Sequence, residues 1–182
     1  MLTLSALETA GALPGDRIEH ASVVPPVLLS RMREAGLAVV TQPGFVSVRG
    51  DDLLRDVEGV ERDWLWPWAG LDAAGVPVCG ASDAPHGPLS PWEVIAAAAT
   101  RRTPAGRVLA AHERVTPLRA LQGYLTAPEH PGGPVRRVEQ GADADLVMLH
   151  CGLEEALARI PANPVRLTVL TGRVSRTGRP PR

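Results

Sequence analysis

Apolar and polar positions along this chain change rhythm near residue 126. Before that point, short apolar runs alternate with segments of helical periodicity. Residues 2–11 read as the end of a helix, with Gly11 as its stop. RIEHA at 17–21 reads as a short strand. Pro25 and Pro26 open a helix that runs to Glu34 and closes at Gly36. LAVVT at 37–41 is a compact apolar run, the pattern of a buried strand. Residues 42–59 are irregular, with a short helix at 51–57. Residues 62–74 are partly helical and broken at Pro67, and VPVCGA at 76–81 is another apolar strand. Two helices follow, at 90–101 with Ser90 as N-cap and at 116–125 with Thr116 as N-cap; each has proline at its first position. Beyond the Gly/Pro break at 131–134 the pattern is of short strands, at 135–138, 145–149, 166–170 and 173–175. The polar, proline-rich stretch 176–182 reads as a flexible tail.

Strands that alternate with helices imply a parallel sheet. Starts near 17, 37 and 76 give three such strands. A closed (β/α)8 barrel needs about 250 residues, and this chain has 182. The first part is therefore a small open α/β sheet or a slice of a barrel.

Composition narrows the chemistry. Hydrophobic residues make up 45% of the chain and aromatics only 3%, so the core must be built from Ala, Val and Leu. The net charge of −1 offers no basic face for nucleic acid. All 19 basic residues are arginine, which excludes a Schiff base or a carbamylated lysine from this chain. Cys79 and Cys151 make no disulfide framework, which fits a reducing cytoplasm. No apolar run approaches a membrane span, and the start has no signal-peptide pattern.

His20 ends the first predicted strand and Asp83 follows the third, in GASDAP. Chemistry in parallel α/β folds gathers at the C-terminal ends of strands. A histidine and a carboxylate meeting there suit a divalent metal. The plainer reading is a hydrogen-bonded histidine and a turn-forming aspartate. His86, three residues after Asp83, is a candidate contact for substrate or metal, or simply an exposed loop residue. His112 and His130 sit in polar connections. Trp64, Trp66 and Trp68 are pocket-lining or core residues, and Cys79 is a packing residue. P-loop, dinucleotide and nucleophile-elbow patterns are all missing from the sequence.

DRIEHA, VTQPG, AGVPVCGASDAP, TPLRALQGYLTAP, GADADLVMLH and VRLTVLTGRV follow one another in this order. Together they resemble the amidohydrolase superfamily, in its amidohydrolase family 3 branch, over residues 10–175. Two departures lie in GADADLVMLH: Ala142 stands where the family has lysine, and His150 where it ends in aspartate. The resemblance implies the last three βα units of a TIM barrel over 1–128, then a small β-sandwich segment over 129–175. It implies that His20 binds metal at the end of the sixth barrel strand. It implies that Asp83, at the end of the eighth, binds metal and handles the proton of the attacking water. The implied cofactor is a divalent metal, with zinc expected, and the implied substrate a small amide-type molecule with a non-peptide C–N bond. The family's H-x-H pair has no counterpart, because no two of histidines 20, 86, 112, 130 and 150 are one residue apart. The resemblance thus also allows a second reading: an inactive truncated remnant, or a subunit that needs a complementing chain or a second copy of itself.

Overall fold

The computed structural model describes residues 2–177. They form two compact units, one running to Val135 and the other starting at Arg136. Thr126 and Val135 form an isolated antiparallel bridge, so residues 129–135 travel with the first unit.

The first unit alternates helix and strand in the order α1 (Leu2–Ala10), β1 (Arg17–His20), α2 (Leu29–Glu34), β2 (Ala38–Thr41), α3 (Gly44–Asp56), α4 (Ala69–Ala74), β3 (Val78–Gly80), α5 (Pro91–Thr100) and α6 (Pro117–Tyr124). Short 3-10 helices precede α2 at Pro26–Leu28 and α4 at Gly59–Trp64. The sheet order is β1-β2-β3, and both pairings are parallel. Side chains alternate between the two faces of such a sheet. Val39 and Val78 are fully buried on the face that carries Ile18, and Leu28 and Met32 from the α2 side share a recess with Ile18. On the opposite face Arg17 and Glu19 are exposed and Val40 is half-buried. The core lies between the first face and the helices.

Two expectations for the helices need correction. A short helix at 51–57 understates α3, which starts at Gly44. Glycine lowers helix propensity by about 1 kcal/mol against alanine, and α3 contains Gly44 and Gly50. Packing explains both: a β-carbon on Gly44 would lie 2.7 Å from Pro88 Cδ, and one on Gly50 would lie 2.6 Å from Thr103 Cγ2. Ser90 precedes α5 but makes no capping bond, and its buried Oγ has no partner. Thr116, by contrast, does cap α6, accepting a hydrogen bond from the Arg119 N–H at 3.1 Å.

The second unit contains β4 (Leu146–Leu149), α7 (Leu153–Ala158), β5 (Val165–Leu170) and β6 (Arg173–Thr177), with the strands in antiparallel order β4-β5-β6. The strand expected at 135–138 does not form, and only Val135 makes its bridge. The short helix α7, over LEEALA, has acidic residues in its first turn, favourable to the helix dipole. The first two residues of the expected tail belong to β6; its remainder, 178–182, lies outside the described residues.

Candidate active-site edge of the parallel sheet

The pairing registers define one row across the strand ends. His20 pairs with Thr41, and Thr41 pairs with Gly80. The strands are parallel, so all three residues lie at the C-terminal edge. Asp83 lies three residues beyond Gly80 at that same edge. Neighbouring strands are about 4.8 Å apart, which puts the backbones of β1 and β3 roughly 10 Å apart across β2.

The chain leaves this edge through strained backbone. His20, Ala21 and Asp83 all have positive φ, at 70°, 45° and 51°. Left-handed conformations of non-glycine residues cost on the order of 1–3 kcal/mol each and gather where function fixes the backbone. The Asp83 turn is held by its own carbonyl, which accepts from the His86 N–H at 2.9 Å and the Gly87 N–H at 3.1 Å. These bonds engage the Asp83 backbone and not its carboxylate. His20 is exposed and is among the residues lining a recess of about 280 Å³ between α1, β1 and α2. Asp83 is half-buried and His86 is exposed on the following turn.

Two further polar residues sit between them. Thr41 and Gln42, at the end of β2, are 0% and 3% exposed. Gln42 Nε2 donates to the Val40 carbonyl at 3.1 Å, but Gln42 Oε1 and Thr41 Oγ1 have no partner. An unsatisfied buried polar atom costs about 1–3 kcal/mol, so two at one strand end are notable. Both residues lie in the VTQPG motif, yet neither carries a charge or a metal-binding preference that would single it out in sequence.

A model of the amidohydrolase family matches residues 3–176. This chain belongs to the amidohydrolase family. It is 35% identical over 138 residues to an N-substituted formamide deformylase from Arthrobacter pascens, a match covering 73% of this chain and 25% of that protein. The chain thus spans about a quarter of the length of that relative. Its structure is similar to an uncharacterized metal-dependent hydrolase from Pyrococcus horikoshii OT3, at 30% identity and a TM-score of 0.58, covering 68% of this chain and 25% of the other. It also resembles a mutant atrazine chlorohydrolase from Arthrobacter aurescens TC1 complexed with zinc and atraton. That likeness, at 20% identity, a TM-score of 0.54 and coverage of 87% and 35%, concerns the fold.

Within this amidohydrolase segment the remaining sequence candidates take structural places. Trp66 and Trp68 are buried and Trp64 is half-buried. Cys79 is buried in β3, and burial pushes its thiol pKa up. His112 Nε2 lies 3.0 Å from the Asp63 carbonyl, and His130 is exposed. Two buried charges escaped the sequence reading. Glu113 Oε2 accepts from the Trp68 and Gly70 N–H groups, each at 2.8 Å, and so satisfies the start of α4. Arg101, with no exposed surface, donates to the carbonyls of Leu65, Trp66 and Leu109. No spacing in the sequence signals such long-range bonds. Among the described residues no group of three or more His, Cys, Asp or Glu side chains is placed to hold a metal ion. No described helix is long and apolar enough to cross a membrane.

Proposed function

We propose that this chain forms the last three βα units of a TIM barrel, followed by a small β-sandwich segment, in a hydrolase of non-peptide C–N bonds. The observation that carries the reading is the shared edge: in a chain of the amidohydrolase family, His20 and Asp83 emerge from the same end of one parallel sheet. An imidazole nitrogen and a carboxylate fit a divalent metal in kind, and the zinc in the atrazine chlorohydrolase makes zinc the first to try. Catalytic zinc takes three protein ligands and a water, so these two residues would supply only part of such a site. When bound, the metal supplies Lewis acidity. Asp83 takes a proton from the attacking water, and the hydroxyl oxygen bonds to the substrate's carbonyl carbon. As the C–N bond breaks, Asp83 returns the proton to the departing nitrogen. His86, on the turn held by the Asp83 carbonyl, is a candidate contact for the substrate. The deformylase makes N-substituted formamides the first substrates to test.

The lack of a third ligand among the described residues favours a second reading. By themselves the 182 residues would be inactive, as a remnant or as a subunit that needs a complementing chain. Zinc titration of the purified chain, with assays on N-substituted formamides and cyclic amides, tests both. We expect weak zinc binding that falls further in His20→Ala and Asp83→Asn, and no turnover until the missing ligands are supplied. Zinc binding unchanged in both variants refutes the site. Tight stoichiometric zinc with turnover, abolished by Asp83→Asn, refutes the second reading.

A further inference from the structure

We infer that Gly44 is a positioning residue for Asp83: it seats Pro88 against the first turn of α3 and so fixes the turn that carries Asp83. The inference rests on the reading of Asp83 as a metal ligand and proton carrier. It starts from the bonds of that turn. The Asp83 carbonyl accepts from the His86 and Gly87 N–H groups at 2.9 and 3.1 Å. The Ser82 hydroxyl accepts from the Ala84 N–H at 3.3 Å. Residue 85 is proline, so every N–H from 84 to 87 is engaged within the turn. Gly87 closes it, because a β-carbon there would lie 2.1 Å from the Ser82 carbonyl oxygen. These bonds hold Asp83 by its backbone and leave its carboxylate for a ligand. A ligand residue whose backbone is already fixed loses less entropy on binding.

A turn closed on itself still needs an anchor, and α3 supplies one. A β-carbon on Gly44 would lie 2.7 Å from Pro88 Cδ, 3.3 Å from Pro88 Cγ and 3.4 Å from Val94 Cγ2. The Pro88 ring therefore packs against the bare Gly44 backbone, which is buried. Gly44 follows the end of β2 by three residues, so this contact joins the loop after β3 to the loop after β2. Proline has a locked φ, and Pro88 directly follows Gly87, which has no room to shift against Ser82. A displaced ring would thus be felt at Asp83. Alanine at position 44 would favour the helix locally, so the seat for Pro88, and not the helix, accounts for glycine there. Gly50 provides the comparison. It lies in the same helix, and the nearest neighbours of a β-carbon there, from 2.6 Å, are all atoms of Thr103 and none of the Asp83 turn.

The test reads Asp83 itself and needs no turnover. Backbone chemical shifts of the isotope-labelled chain report φ and order at each residue, and zinc is then titrated in. In the unsubstituted chain we expect Asp83 to show the shifts of a fixed left-handed residue, in keeping with its φ of 51°. Gly44→Ala should push Pro88 away and move Asp83 toward random-coil shifts. Pro88→Ala should do the same by removing the ring, and it adds no atom that could block folding. Gly50→Ala also overpacks α3 but should leave Asp83 unmoved. Random-coil Asp83 shifts in the unsubstituted chain overturn the inference. So do Asp83 shifts that survive Gly44→Ala or Pro88→Ala, or that move equally in Gly50→Ala, since the role is then one of packing in α3. If a glycine variant fails to fold, Pro88→Ala decides. Zinc separates this inference from the wider reading. Asp83 shifts that respond to Gly44→Ala and Pro88→Ala, with zinc leaving the Asp83 signals unmoved, support the positioning and refute the metal role. If both hold, Gly44→Ala and Pro88→Ala should each lower zinc affinity by about tenfold or more, and Gly50→Ala should leave it unchanged.

Discussion

Replacing Arg101 by methionine tests whether one buried cation ties the end of α5 to the tryptophan-rich segment. Its guanidinium donates at 2.7 Å to the Leu65 carbonyl, at 3.0 Å to that of Trp66 and at 3.1 Å to that of Leu109. Hydrogen bonds from a charged donor contribute about 1.5–3 kcal/mol each, so three give on the order of 5–9. Desolvation opposes this. Burial depresses the Arg101 pKa to about 10, while nearby Glu113 acts in the opposite direction. An effective penalty of several kcal/mol for a buried ion leaves a net loss of about 3–5 kcal/mol for Arg101→Met. Backbone strain cancels in the comparison, because Arg101 has φ 54° and methionine has no easier access to that region. Arg101→Lys keeps the charge but lacks the planar fork needed for three carbonyls, and should fall between. The assay is urea unfolding followed by tryptophan fluorescence. All four tryptophans (64, 66, 68 and 92) lie in the first unit, so the signal reports that unit alone. With an m-value of about 2 kcal/mol/M, the midpoint should fall by about 2 M. A shift under about 0.5 M, less than ~1 kcal/mol at that m-value, would show that the three bonds merely offset the burial of the charge.

Gly132→Ala should destabilise the first unit by about 3 kcal/mol, read by the same urea curve. Its φ is +73°, and a β-carbon there would lie 2.2 Å from the Val78 nitrogen; a variant as stable as the parent would contradict that packing. Asp51 accepts hydrogen bonds from the Thr103 hydroxyl and from Arg107 and the Ala105 N–H, and these hold its carboxyl below the usual carboxylate range, the Thr103 bond contributing most. Its folded pKa lies below its unfolded one, so its stabilisation is complete above the unfolded value, near 4, and is lost as pH falls through the folded value. Asp51→Asn should therefore lower the melting temperature at neutral pH and flatten its fall below about pH 4; parallel melting curves across that range would contradict the assignment.

The pattern of apolar positions was enough to place β1, β2 and β3 within a few residues and to mark them as parallel, since helices separate them in the chain. It also brought His20 and Asp83 to the same kind of position, after a strand, because strand ends are signalled locally by the change from apolar to turn-forming residues. The start of α3 was not legible. Gly44 and Gly50 weaken a helix locally, and only the packing of Pro88 and Thr103 against them shows why they are there. α7 was missed because a single short turn of helix between strands carries too few periods to be recognised.

The sequence by itself determined the alternating α/β order and the family, and put forward His20 and Asp83 as candidate metal ligands, because these depend on residue identity and local order. Tertiary structure decided which polar groups are buried without partners and which buried charges are satisfied. Thr41 and Gln42 look ordinary in VTQPG until burial removes water from both. Arg101 and Glu113 look like surface charges until contacts 35 and 45 residues away in the chain explain them. Solvation and hydrogen bonding depend on distances between residues remote in sequence, and those distances exist only once the chain has folded.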